Sequence, residues 1–173
     1  IAAREFARGD VIPVLMGSAL HRNGVQRLMK ALRHEAPGVE ALRSRLAQGK
    51  APPVAVAFHA QNRKHLGKVT FLRALAEGVA QGGRTGGGNI GGLMAPGGTG
   101  AASPLPAGEV ALAVKSDHLA AGRALTAEGI APSPDWATGH APTLARVIVP
   151  DSERDEVRLS AALARLQETD PGL

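Results

Sequence analysis

Cysteine is absent from the 173 residues, which excludes disulfides, thiol nucleophiles and cysteine-ligated zinc. Aromatic residues are almost as scarce, at 2%. A core must therefore come from Leu, Val, Ile and Ala, at roughly 1.5–3 kcal/mol per fully buried Leu or Val and with little ring stacking. No apolar run approaches the ~20 residues of a membrane-crossing helix. The opening residues lack the charged-then-apolar pattern of a secretory signal, so a soluble, cytoplasmic setting is expected. The six histidines, His21, His34, His59, His65, His118 and His140, show neither H-x-x-x-H nor H-E-x-x-H spacing, and no metal site is expected. Ser116-Asp117-His118 is contiguous but has no nucleophile elbow around it, so a hydrolytic triad is not expected there.

What is present is a basic chain with enough apolar residues for a core. Hydrophobic residues make up 44%, the formal charge is +5, the pI is about 10.4, and 15 of the 20 basic residues are Arg. Arginine forks onto phosphate oxygens, so this balance suits an anionic partner such as RNA. A general bias toward Ala, Arg and Gly gives the same balance.

The chain reads as several blocks. Residues 1–9 suit the end of a helix, with Gly9 in the stop position. Residues 11–16 are a short apolar run of the kind buried on both faces in a parallel sheet, with Pro13 favouring an edge or bulge. Asn23-Gly24 opens a helix whose Val25, Leu28, Met29 and Leu32 form one apolar stripe. Arg33 and His34 suit its last turn, and Pro37-Gly38 ends it. A weaker stripe follows at Val39, Leu42 and Leu46. Residues 49–53, G-K-A-P-P, mark the best boundary. From Val54 the period becomes two: Val54, Val56 and Phe58 alternate with alanines, a second strand runs over residues 68–74, and Val110, Leu112 and Val114 alternate again after Pro106-Ala107-Gly108. Short strands separated by turns predict a small β-barrel or sandwich. Ten of the nineteen residues from 82 to 100 are glycine, which predicts a mobile loop, since little is buried there and the ordering entropy is large. Residues 143–149 read as another strand. Ser152 and Asp155 resemble a capping box, followed by a helix with Leu159, Ala162, Leu163 and Leu166 on one face and Asp170-Pro171-Gly172 as its stop. Trp136 is expected as a linker anchor.

Three of these blocks, in order, resemble bacterial translation elongation factor G. V-I-P-V-L-M-G-S-A-L-H-R-N-G-V-Q-R-L-M-K-A-L resembles the end of that family's GTP-binding domain. A-V-A-F-H-A-Q-N-R-K-H-L-G-K-V-T-F-L-R-A-L-A-E-G resembles the opening of its second domain, with A-G-E-V-A-L-A-V and A-G-R-A-L similar to the end of that domain. V-R-L-S-A-A-L-A-R-L-Q-E-T-D-P resembles the first helix of the third. The chain departs from the family in its glycine-rich middle and in Ala74-Leu75-Ala76, where an aromatic is usual, which suggests a divergent, elongation factor G-like member. The absence of an initiator Met and of phosphate-binding blocks suggests an internal piece of a longer protein.

The resemblance implies a mainly β fold: a translation-factor-type β-barrel (residues 50–130) flanked by an α/β remnant of the GTP-binding domain (1–49), a linker (131–142) and the β-α start of a ferredoxin-like third domain (143–173). It implies that Ser18, Ala19 and Leu20 match the loop that lies against guanine, read through backbone N–H groups. It implies a parent that binds GTP with Mg²⁺ and the ribosome and drives GTP-dependent translocation. The basic residues Arg63, Lys64, His65, Lys68 and Arg73 are the candidates for contact with ribosomal RNA, through phosphates rather than sequence; a solvated hairpin tip is the competing reading. The hydrolytic parts are missing. The chain has no G-x-x-x-x-G-K-[ST], no D-x-x-G followed by His and no N-K-x-D, and Gly49-Lys50-Ala51 and Gly67-Lys68-Val69 lack the metal-binding hydroxyl. No nucleotide, magnesium or catalytic residue is expected on this piece by itself. Other readings are another translational GTPase of the same build, such as a release factor recycler or a ribosomal protection protein, and a non-catalytic RNA or ribosome interaction module.

Overall fold

The computed structural model describes residues 3–47, 50–97, 100, 103–132 and 141–170. Trp136, most of the expected linker and the Pro171-Gly172 stop lie outside them. The chain divides into two compact units, Ile1–Arg45 and Leu46–Leu173.

The first unit is helical. Helix α1 (Ala3–Arg8) stops at Gly9, whose φ of 81° is open to glycine at little cost. The Gly9 and Asp10 N–H groups donate back to Phe6 and Glu5, satisfying carbonyls at the helix end. Helices α2 (Val25–His34) and α3 (Val39–Ala47) follow. Along the weaker stripe of α3, Val39 and Leu42 are half-buried, and Leu46, where the second unit begins, is buried. The strand expected over residues 11–16 does not form. Ile12, Val14 and Met16 stand in solvent, and no strand lies beside them among the described residues, so the ladder a buried parallel strand needs has no partner here. The α2 stripe is likewise largely exposed at Leu28, Met29 and Leu32.

The second unit is built on an antiparallel five-stranded sheet, in the order β5-β6-β2-β1-β7. Strands β1 (Ala55–Arg63) and β2 (Gly67–Ala74) form a hairpin with a three-residue tip. The expected loop of residues 61–67 is thus shorter than its polar sequence suggests, because backbone pairing runs on to Arg63 and Gly67. Strand β6 (Val110–Val114) pairs with β2, β5 (Gly92–Met94) with β6, and β7 (Arg123–Leu125) with β1. The register slips between Ala57 and His59, a β-bulge that puts an extra residue, Phe58, into β1. The core is small-sided. Ala55, Ala57, Ala74, Ala111 and Ala113 pack with Leu72, Val79, Ile90, Leu93, Leu105, Leu119 and Leu125.

The glycine-rich segment is ordered where it is described, contrary to the expectation of a mobile loop. It forms β3 (Arg84–Thr85), β4 (Gly88–Asn89) and then β5. Its ordering entropy is offset because Thr85, Ile90 and Leu93 are buried. The glycines serve close approach. A Cβ at Gly91 would lie 2.5 Å from the Lys115 carbonyl oxygen, and one at Gly88 would lie 2.9 Å from the His118 ring. The β3–β4 hairpin connects to both edge strands of the sheet: the Gly86 N–H donates to the Thr126 carbonyl just past β7, and β4 runs on through Ile90 into β5.

Residues 143–149, expected as a strand, carry no ladder; Leu144 and Val147 are exposed, again with no neighbouring strand among the described residues. Ser152 caps a 3-10 turn (Glu153–Asp155), its Oγ accepting from the Arg154 N–H at 3.3 Å. Asp155 faces Arg158 at 3.5 Å rather than completing a capping box. Helix α4 (Glu156–Thr169) follows and packs near β1. Among the described residues no helix is long and apolar enough to cross a membrane.

Candidate nucleic-acid interface

Residues 17–24 make a tight turn. The Ser18 N–H donates to the Asn23 carbonyl at 2.9 Å, and the His21 N–H reaches Ser18 Oγ at 3.4 Å. Two glycines permit it: a Cβ at Gly17 would lie 2.6 Å from the Asn23 oxygen, and Gly24, at φ 75°, approaches the Met16 carbonyl. The Ala19 carbonyl accepts from Arg22, while the Ala19 and Leu20 N–H groups meet no acceptor among the described residues. Leu20 is exposed. The turn borders a cleft of about 240 Å³ lined by Leu15, Met16, Val25 and Leu28. Ala19 therefore presents a backbone donor at the edge of a small apolar hollow and Leu20 presents the next one along, while the Ser18 N–H is used within the turn.

The second feature lies at the tip of the β1–β2 hairpin, whose sharp turn holds His65 at φ 69° and Gly67 at φ 70°. A cleft of about 750 Å³ gathers Arg63, Lys64, His65 and Lys68 with two cations that the sequence did not single out, Lys115 and Arg165. Lys115 stands just past β6 in a left-handed conformation, φ 52°; Arg165 comes from α4, where its carbonyl accepts from Asn62 Nδ2 at 3.4 Å. Lys68 is tied in place, its Nζ donating to the Asp117 carbonyl at 3.0 Å. With the Gln61 amide oxygen turned toward it, Arg63 donates from Nε and Nη2 at 2.5 and 2.7 Å. Five Lys or Arg side chains thus share the cleft with two carboxylates, Asp117 and Glu168. Arg73 does not join them. It sits six residues along β2 from Gly67, about 20 Å away at strand spacing, paired across to Val56 and Val110.

The Ser116-Asp117-His118 string has structural work. Ser116 is buried, with Oγ donating to the Val114 carbonyl at 2.9 Å and accepting from the Gly91 N–H at 3.1 Å. His118 Nε2 lies 3.0 Å from the Thr85 carbonyl oxygen. No cluster of three or more metal-ligating side chains exists among the described residues.

No protein-family model matches the chain. It is 28% identical over 180 residues to an elongation factor G-like protein from Synechocystis sp., an alignment that takes in 98% of this chain and 26% of that protein. A crystal structure of a Thermus thermophilus protein matches the fold with a TM-score of 0.50 at 24% identity, over 87% of this chain and 23% of the other. The chain spans about a quarter of the length of each. The likeness to elongation factor G read from the sequence therefore runs over almost the whole chain, and the mainly antiparallel fold agrees with it.

Proposed function

We propose that this chain works as part of an elongation factor G-like translational GTPase, acting in the cytoplasm on the ribosome. Residues 1–49 form the tail of its GTP-binding domain, 50–130 its barrel, 131–142 a linker and 143–173 the start of a third domain. The observation that supports this reading is that one alignment, 28% identical, runs across 98% of the chain. The backbone donors at Ala19 and Leu20 would read a guanine oxygen, for which a peptide N–H suffices. The phosphates and Mg²⁺ of GTP need a cradle, a Lys and a hydroxyl ligand that this sequence does not contain. The barrel's part is to dock on ribosomal RNA through the hairpin-tip cations, which position the protein without reading sequence.

The test is the salt dependence of binding to small ribosomal subunits or to RNA. Each phosphate contact contributes ~0.7–0.9 to the slope of log K against log salt. The double variant Arg63→Ala, Lys64→Ala should flatten that slope by roughly 1.4–1.8, while Arg73→Ala, remote from the cleft, should change it less. A double variant with the wild-type slope rejects the docking role.

A further inference from the structure

Two of the chain's three phenylalanines, Phe58 and Phe71, meet on the face of the β1–β2 hairpin turned away from the core, although aromatics are only 2% of the sequence. The bulge in β1 creates the patch. Ala57 and Ala60 are both buried, while Phe58 and His59 between them are both exposed instead of alternating. Phe58 keeps half of its surface in solvent, at 50%. Its ring centroid lies 6.0 Å from that of Phe71, and the His59 ring lies 5.3 Å from Phe71. The Arg63 guanidinium carbon stands 5.9 Å above the Phe71 ring. Arg63 also lines the cationic cleft, so ring faces and phosphate-binding charges adjoin through one residue.

We propose that this patch is a stacking platform for unpaired bases of single-stranded RNA, Phe58 offering the open face and the cleft taking the adjoining phosphates. The proposal rests on the RNA-docking reading above and names the form of RNA. Unstacked bases settle on aromatic and guanidinium planes, whereas bases inside a duplex have no free face to offer. The five cations of the cleft that Arg63 shares favour a polyanion over a neutral protein surface.

The experiment uses the whole chain and a short single-stranded RNA carrying 2-aminopurine, with a duplex of the same sequence as control. Binding of the single strand should quench the fluorophore. Phe58→Leu, which keeps apolar bulk but removes the ring, should abolish the quench and weaken binding about five-fold or more, as expected for the loss of one stacked base. The salt slope should stay unchanged in that variant, and Phe58→Trp should retain the quench. Salt-dependent binding without a quench, or a Phe58→Leu variant equal to wild type, overturns the platform while leaving phosphate docking intact. Failure to bind either RNA overturns both.

Discussion

At the scale of single residues, Ser116 shows how much one hydroxyl can hold. It is buried and bridges the Val114 carbonyl to the Gly91 N–H, at a glycine whose added Cβ would collide with the Lys115 backbone. Ser116→Ala removes that bond, in which Ser116 is buried and Gly91 exposed, and an ordinary intramolecular hydrogen bond contributes ~0.5–1.5 kcal/mol net. Urea unfolding should show that loss as a lower midpoint with unchanged m; an unshifted midpoint would mean the bridge contributes nothing. Little of this was legible in the sequence. Ser116 stands in a string that suggests only an improbable triad, and the partner Gly91 lies 25 residues away in a segment whose composition suggests disorder. Lys115 and Arg165 are hidden in the sequence for a related reason: they reach the cleft from the end of β6 and from α4, by folding and not by proximity in the chain. Arg63, Lys64, His65 and Lys68 are legible because they share one hairpin tip, whereas Arg73 is near them only in sequence.

At the scale of elements, period-two patterning found β1, β2 and β6, because those strands alternate over enough residues for the signal to stand out. It missed β3, β4 and β5, whose strands are two or three residues long and composed partly of glycine. It over-read residues 11–16 and 143–149, because apolar runs describe what a segment would bury and not whether a partner lies beside it. The two kinds of apolar position should respond differently to truncation. Leu72, fully buried in the central strand β2, should lose about 2–5 kcal/mol on Leu72→Ala. Leu28, on the exposed face of α2, should lose no more than ~0.5 kcal/mol on Leu28→Ala. Comparable losses at both sites in denaturant titrations would show that the α2 stripe is covered in solution.

At the scale of the whole molecule, the chain carries a five-stranded antiparallel sheet and spans about a quarter of the length of the proteins it matches. Two backbone donors in the 18–20 turn cannot hold a triphosphate, whose affinity comes from a glycine-rich cradle, a lysine and a metal. Isothermal calorimetry with GTP and Mg²⁺ should therefore show no micromolar binding; a micromolar isotherm would refute this. The edges of the sheet are covered by short bridges and loops. Strand β7 is backed by the return of residues 129–131, β5 meets Gly100, and the glycine hairpin bridges the gap between them. Among the described residues, neither border offers a long bare row of amide and carbonyl groups onto which a second copy could add strand by strand. The stretch with the fewest side chains to bury thus helps leave little free edge for strand addition.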